Sequence, residues 1–139
     1  MARNIIVLSL IAVFISGQSL SYAYNFSRDG FADNIPQPVL LEPVTGRVDI
    51  SGKGQLIFRW SPHEGDISQR RFYDFRLYQG NQLTEANLLF QKNVAPNEHK
   101  ISLDHDMFKP GQSYTWSLRQ KYRSGKSRRS SSSFMAAGK

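Results

Sequence analysis

The chain has 139 residues, with 18 Lys and Arg against 11 Asp and Glu, a formal charge of +7 and no cysteine. A composition of 40% hydrophobic and 21% charged residues is ordinary for a globular protein and argues against disorder throughout. The missing cysteine excludes disulfide stapling, a thiol nucleophile and a lipidated-cysteine anchor, and the basic excess favours anionic partners.

Residues 1–23 carry the three parts of a secretory signal peptide. Arg3 and the terminal amine supply positive charge, Ile5 to Ile15 forms an apolar core, and Ser21-Tyr22-Ala23 is a small-x-small cleavage site. The core is short of the roughly 20 apolar residues that span a bilayer. The expectation is an exported protein, periplasmic or secreted, with no membrane span once the signal is removed. An uncleaved inner-membrane anchor reaching Leu20 is the alternative. The absence of bridges in an exported domain leans toward a bacterial periplasmic or secreted protein, or toward a fold whose core suffices alone.

Residues 24–37 are polar and irregular, with Asp29-Gly30 and Pro36-Gln37-Pro38, and read as a linker. One domain is expected over 38–139. Val39-Leu40-Leu41 stops at Pro43, and Gly46 to Ile50 stops at Ser51-Gly52-Lys53-Gly54. Gln55 to Trp60 alternates cleanly, with Leu56, Phe58 and Trp60 on one face. His63-Glu64-Gly65-Asp66 follows as a polar turn. Phe72 to Tyr78 alternates again, Tyr73, Phe75 and Leu77 opposing Phe72, Asp74, Arg76 and Tyr78. Leu88 to Val94 is a less regular edge, and Glu85 to Leu89 admits a helical turn. Ile101 and Leu103 alternate with Lys100 and Ser102. Phe108-Lys109-Pro110-Gly111 then turns into Tyr114, Trp116 and Leu118, and Phe134-Met135-Ala136 lies in a last strand. About seven short strands with regular turn signals and no amphipathic helix predict an all-β, seven-stranded antiparallel β-sandwich.

These positions, taken in order, resemble a fibronectin type III domain over residues 38–139. Leu40 to Pro43 and Gly46 match the Pro-rich first strand, Trp60 the core tryptophan of the second strand, and Tyr73, Phe75 and Leu77 the third. Pro110-Gly111-x-x-Tyr114 matches the family's tyrosine corner, although Gln112 replaces the usual threonine. The resemblance implies a structural role for Trp60, Pro110, Gly111, Tyr114 and Trp116, with the Tyr114 hydroxyl returning to an upstream backbone group. The family's cell-attachment tripeptide is missing, so integrin-type adhesion gains no support.

Catalytic motifs are lacking. No Gly-x-Ser-x-Gly elbow, phosphate loop or dinucleotide fingerprint occurs, and the expectation is a non-enzyme with no cofactor. His63, Glu64 and Asp66 and the Asp104-His105-Asp106 run hold metal-ligand side chains. They lack the spacing of a zinc or calcium site and read as solvated turns. A metal-dependent hydrolase is the weakest alternative.

The positive signal lies late in the chain. Arg119, Lys121, Arg123, Lys126, Arg128 and Arg129 occur with no acid from Met107 to Lys139. Alternation from Trp116 and Leu118 turns Arg119 and Lys121 outward. The basic loop beyond them is flanked by Tyr122, and Phe72, Arg76 and Tyr78 are expected to extend the patch with exposed aromatic surface. The leading expectation is a binding module that engages a protein or an anionic envelope glycan or glycolipid through this loop and sheet face. Its rival is a structural subunit whose edge strand pairs with a partner. Nucleic acid is a poor fit for an exported protein.

Overall fold

In a computed structural model, which describes residues 35–52, 54–62 and 70–138, period-two alternation builds two packed sheets. The strands are β1 (Leu40–Glu42), β2 (Arg47–Asp49), β3 (Gln55–Trp60), β4 (Arg70–Gln79), β5 (Leu88–Val94), β6 (Lys100–Asp104), β7 (Ser113–Tyr122), β8 (Gly125–Lys126) and β9 (Ser130–Ala137). The smaller sheet has the order β1-β3-β6. The larger has the order β2-β9-β7-β4-β5, with β8 paired to the end of β7. The proposed signal peptide, most of the linker, and His63, Glu64 and Asp66 lie outside the described residues.

Among the described residues nine strands stand where seven were expected, and one pairing there is parallel rather than antiparallel. Pro43 has no N–H with which to continue the ladder of β1 on β3. The chain crosses there to the other sheet, and β2 runs parallel to β9. The Trp116 indole pins the crossing by donating to the Pro43 carbonyl at 2.7 Å. The second extra strand, β8, is the short return of a hairpin whose tip is Arg123-Ser124. The irregular stretch before β5 is a 3-10 turn over Glu85–Asn87.

The inward positions meet in one aromatic core. Phe58, Trp60, Tyr73, Phe75, Leu77, Trp116 and Leu118 are fully buried. The Phe58 ring stands edge-on to Phe75 and to Trp116, with centroids 5.2 Å apart in both pairs. Such geometry suits the ring quadrupoles, and each buried tryptophan contributes about 2–4 kcal/mol. The backbone N–H of Lys109 donates to the Tyr114 hydroxyl at 2.8 Å, closing the corner. Gly111 takes the left-handed conformation the turn demands, φ +86°, and its N–H reaches the Ala136 carbonyl at 2.8 Å.

Residues ahead of position 38 also pack on the sandwich. Ile35 is buried against Tyr122. The Pro36 carbonyl accepts from the Gln120 amide at 2.8 Å, and the Gln37 amide donates to the Arg129 carbonyl at 2.8 Å. Residues 35–38 are a strap on the larger sheet.

Candidate functional site

The outer face of the larger sheet follows from register. On β7, Trp116 and Leu118 point into the core, so Thr115, Ser117, Arg119 and Lys121 share the opposite face. Arg119 lies opposite Asp74 of β4, Ser117 opposite Arg76, and Lys121 opposite Phe72. Lys121 also faces Lys126 across the β7–β8 hairpin. Arg123 and Arg128 are exposed beside the hairpin, and Arg119, Lys121 and Lys126 are half-buried.

Asp74 is the hub of this face, and the sequence reading did not single it out. One carboxylate oxygen accepts from the Gln91 amide at 3.0 Å and from Arg76 Nε at 3.3 Å. The other pairs with the guanidinium of Arg129 and with Arg76 Nη2, the latter at 3.3 Å. Arg129 reaches Asp74 by crossing β7, and small Ser117 leaves room for it. Its Nη1 donates to Ser117 Oγ at 3.0 Å and to the Asp74 carbonyl at 3.2 Å. Arg76 also approaches exposed Glu85 at 3.7 Å.

Electrostatics follow from this crowding. Burial alone would raise the Asp74 pKa, but the Gln91 hydrogen bond and the charges of Arg129 and Arg76 outweigh it and hold the carboxyl below its usual range. Arg119 is lowered by burial first and by the neighbouring Arg129 next, with Asp74 offsetting only part. Arg129 is likewise lowered, chiefly by burial. The face therefore holds its cations close together around one acid.

Three expectations about this patch change. Arg129 is not a free cation for a partner, because Asp74 holds it and its side chain is only 13% exposed. Tyr122 does not flank the loop as exposed aromatic surface, because Ile35 covers it. Tyr78 is 2% exposed and does not extend the patch, whereas Phe72 stays half-buried. The alternation of Asp74 with Tyr73 and Phe75 was the available signal for the hub. It marks an outward acid on the strand beside Arg119.

Elsewhere, an open depression of about 630 Å³ is lined by residues including Arg59, Glu98, His99 and Lys100. It mixes both signs of charge and favours no ligand class. Among the described residues no group of three His, Cys, Asp or Glu side chains is placed to hold a metal, and no helix is long and apolar enough to cross a membrane. His105 Nδ1 instead lies 3.3 Å from the Gly52 carbonyl.

No family model matches the chain, and no curated protein matches it significantly in sequence. Solved structures do. The FN1–FN3 domains of chicken CNTN1 are similar at TM-score 0.55 and 15% identity, over 74% of this chain and 32% of that one. The third fibronectin III domain of human KIAA0343 protein is similar at TM-score 0.51 and 13% identity, over 76% and 84%. A computationally redesigned β-sandwich protein is similar at TM-score 0.54 and 9% identity, over 75% and 97%. The architecture is a fibronectin type III-like β-sandwich.

Proposed function

We propose that this chain is an exported, non-enzymatic binding module. It holds an anionic partner, a protein or an envelope polymer, on the β7–β8 hairpin and the adjoining outer face of the larger sheet. The observation that carries the reading is the register that sets Arg119, Lys121 and Lys126 on one face beside exposed Arg123 and Arg128. A fibronectin-like sandwich is a rigid frame for such a surface, and loops on a rigid frame commonly carry recognition. Arg129 belongs to the frame: its pair with Asp74 fixes the loop entering β9.

The test is retention on an acidic-polysaccharide matrix as salt is raised. The expected result is retention at low salt, release at moderate salt, and loss when Arg123 and Arg128 are both changed to Gln. Exposed charges act through a screened field, so the interaction should weaken with ionic strength. Failure of the full chain to be retained at low salt, or retention indifferent to both substitutions, overturns the reading.

A second reading rests on the sheet edges. Among the described strands, β5 pairs only with β4 and β6 only with β3, leaving each with one open edge for an added strand. Pairing of that kind would be insensitive to salt and to the two arginine changes.

A further inference from the structure

The open edge of β6 carries a charge pattern that is its own complement. Its residues, Lys100-Ile101-Ser102-Leu103-Asp104, pair with β3 in unbroken register, from Arg59 opposite Lys100 to Gln55 opposite Asp104. The His99 carbonyl accepts from the Trp60 N–H at 3.1 Å, and the His105 N–H donates to the Gly54 carbonyl at 2.9 Å. Hydrogen-bonding direction alternates along an antiparallel strand, so Ile101 and Leu103 also turn their backbone groups to β3. Lys100, Ser102 and Asp104 turn theirs to the open edge, and their side chains are exposed.

The other edges are interrupted. β1 slips register between Leu40 and Glu42 and runs into Pro43, and β2 has only 3 residues. β5 slips register opposite Leu77 and Tyr78, which leaves Leu89 as an extra residue. Bulges, prolines and shortness are common protections of a sheet edge. Among the described strands that end a sheet, β6 alone has no such interruption. Its one protective feature is the charge of Lys100, and Asp104 at the other end of the strand answers that charge in an antiparallel copy.

We infer that β6 pairs antiparallel with β6 of a second copy of this chain, about a two-fold axis through Ser102. Lys100 then lies opposite the partner's Asp104 at both ends, Ser102 opposite the partner's Ser102, and Ile101 opposite the partner's Leu103. This register uses all the outward backbone groups of both strands, for about six hydrogen bonds. Sliding the copies until Lys100 opposes the partner's Ser102 leaves about four and unpairs the charges. Hydrogen bonding and charge thus select the same alignment.

The rows beyond the pair agree with it. Lys100 faces Arg59 within its own sheet, and Arg59 approaches Glu42 at 3.8 Å. The partner's Asp104 would place a second acid on the far side of these two cations. Within its own sheet Asp104 accepts from the Gln55 amide at 3.0 Å through Oδ1, which holds the carboxylate at the edge. The inference goes beyond the anion-binding reading, which uses the other sheet. It rests on the edge-strand reading and narrows it to one edge and one partner. A single strand pair is a small interface, so the dimer should be weak and concentration-dependent.

The experiment is sedimentation equilibrium of the full chain up to about 1 mM, with amide hydrogen exchange at low and high concentration. The expected result is a monomer–dimer equilibrium. The amides of Lys100, Ser102 and Asp104 should gain protection with concentration, while those of Ile101 and Leu103 are protected throughout. Ser102→Pro removes an N–H that faces the open edge, so the ladder to β3 survives and dimerisation should be abolished. Lys100→Asp and Asp104→Lys should each weaken the dimer about tenfold by opposing like charges. Combining the two should restore the parental affinity, a recovery that no folding defect would produce.

A chain that stays monomeric at about 1 mM, or a combined variant no better than the single ones, overturns the proposal. A dimer that instead protects Leu88 to Val94 overturns it in favour of β5 and leaves the edge-strand reading standing. A dimer lost when Arg123 and Arg128 are both changed to Gln places the contact on the hairpin and overturns the proposal and the edge-strand reading together.

Discussion

Arg129, at the entrance to β9, and Asp74, in the middle of β4, form an ion pair across the intervening strand β7. The side chains are 13% and 12% exposed, so neither partner is left to water if the other is removed. Losing one member of such a pair strands a charge, which costs about 3 kcal/mol. Asp74→Ala should therefore lower unfolding free energy by about that amount. Arg128→Ala, one residue from the same loop and exposed, should stay within about 0.5 kcal/mol. Urea unfolding of the two variants side by side checks this. Equal effects would mean that the pair is a surface contact of no structural weight.

The same carboxylate gives the fold an acid-labile component. Its folded pKa lies below its unfolded value of about 3.9, because hydrogen bonding and two guanidinium groups overcome burial. A depressed carboxyl pKa contributes stability that is fully present above the unfolded pKa and is lost as pH falls through the folded one. The parent chain should lose that contribution below about pH 4. Asp74→Asn should start less stable at pH 7 and show a shallower decline, measured as the urea midpoint from pH 7 to pH 3. Parallel declines would show that other acids carry the acid response.

The corner before β7 yields a separate prediction. Tyr114→Phe removes the acceptor for the Lys109 N–H and leaves a partly buried donor unpaired, a cost of about 1–2 kcal/mol. Trp116→Ala removes a fully buried ring and the donor to the Pro43 carbonyl, and should cost about 3–5 kcal/mol. Thermal midpoints measure both. If both variants melt with the parent chain, the corner and the core assignment of Trp116 are wrong together.

The sandwich was legible because its core writes a period of two into the chain. Leu56, Phe58 and Trp60, then Tyr73, Phe75 and Leu77, then Tyr114, Trp116 and Leu118 recur at every second position, mostly between polar residues, and that phase fixes which side chains face inward. The same phase turned Arg119 and Lys121 outward, as the register has them. What it could not give is what lies over the outward side chains. Tyr78 was expected to add exposed aromatic surface, yet it is buried on a face that alternation alone would leave open, and Tyr122, expected to flank the basic loop, is covered by Ile35 from far away in sequence. Arg129 looked like one more basic loop residue, and only the fold brings Asp74 under it. The parallel pairing of β2 was hidden for another reason. Three residues, Arg47-Val48-Asp49, carry no information about which sheet will take them after Pro43.

Gly111 separates strain from crowding. A Cβ added there would meet no heavy atom within 4 Å, but φ is +86°, so the cost of a side chain is purely conformational. The left-handed region costs about 1–2 kcal/mol for an L-residue and less for Asn, whose short amide tolerates it. Gly111→Ala should therefore destabilise the fold by about 1–2 kcal/mol, and Gly111→Asn by distinctly less. At Gly138 the balance is reversed. No positive φ is involved, and a new Cβ would lie 3.1 Å from Pro110 Cγ, a contact that a small shift of the ring relieves. Gly138→Ala should accordingly cost less than Gly111→Ala in urea unfolding. The opposite order would show that the turn before β7 tolerates a side chain in a conformation its sequence reserves for glycine.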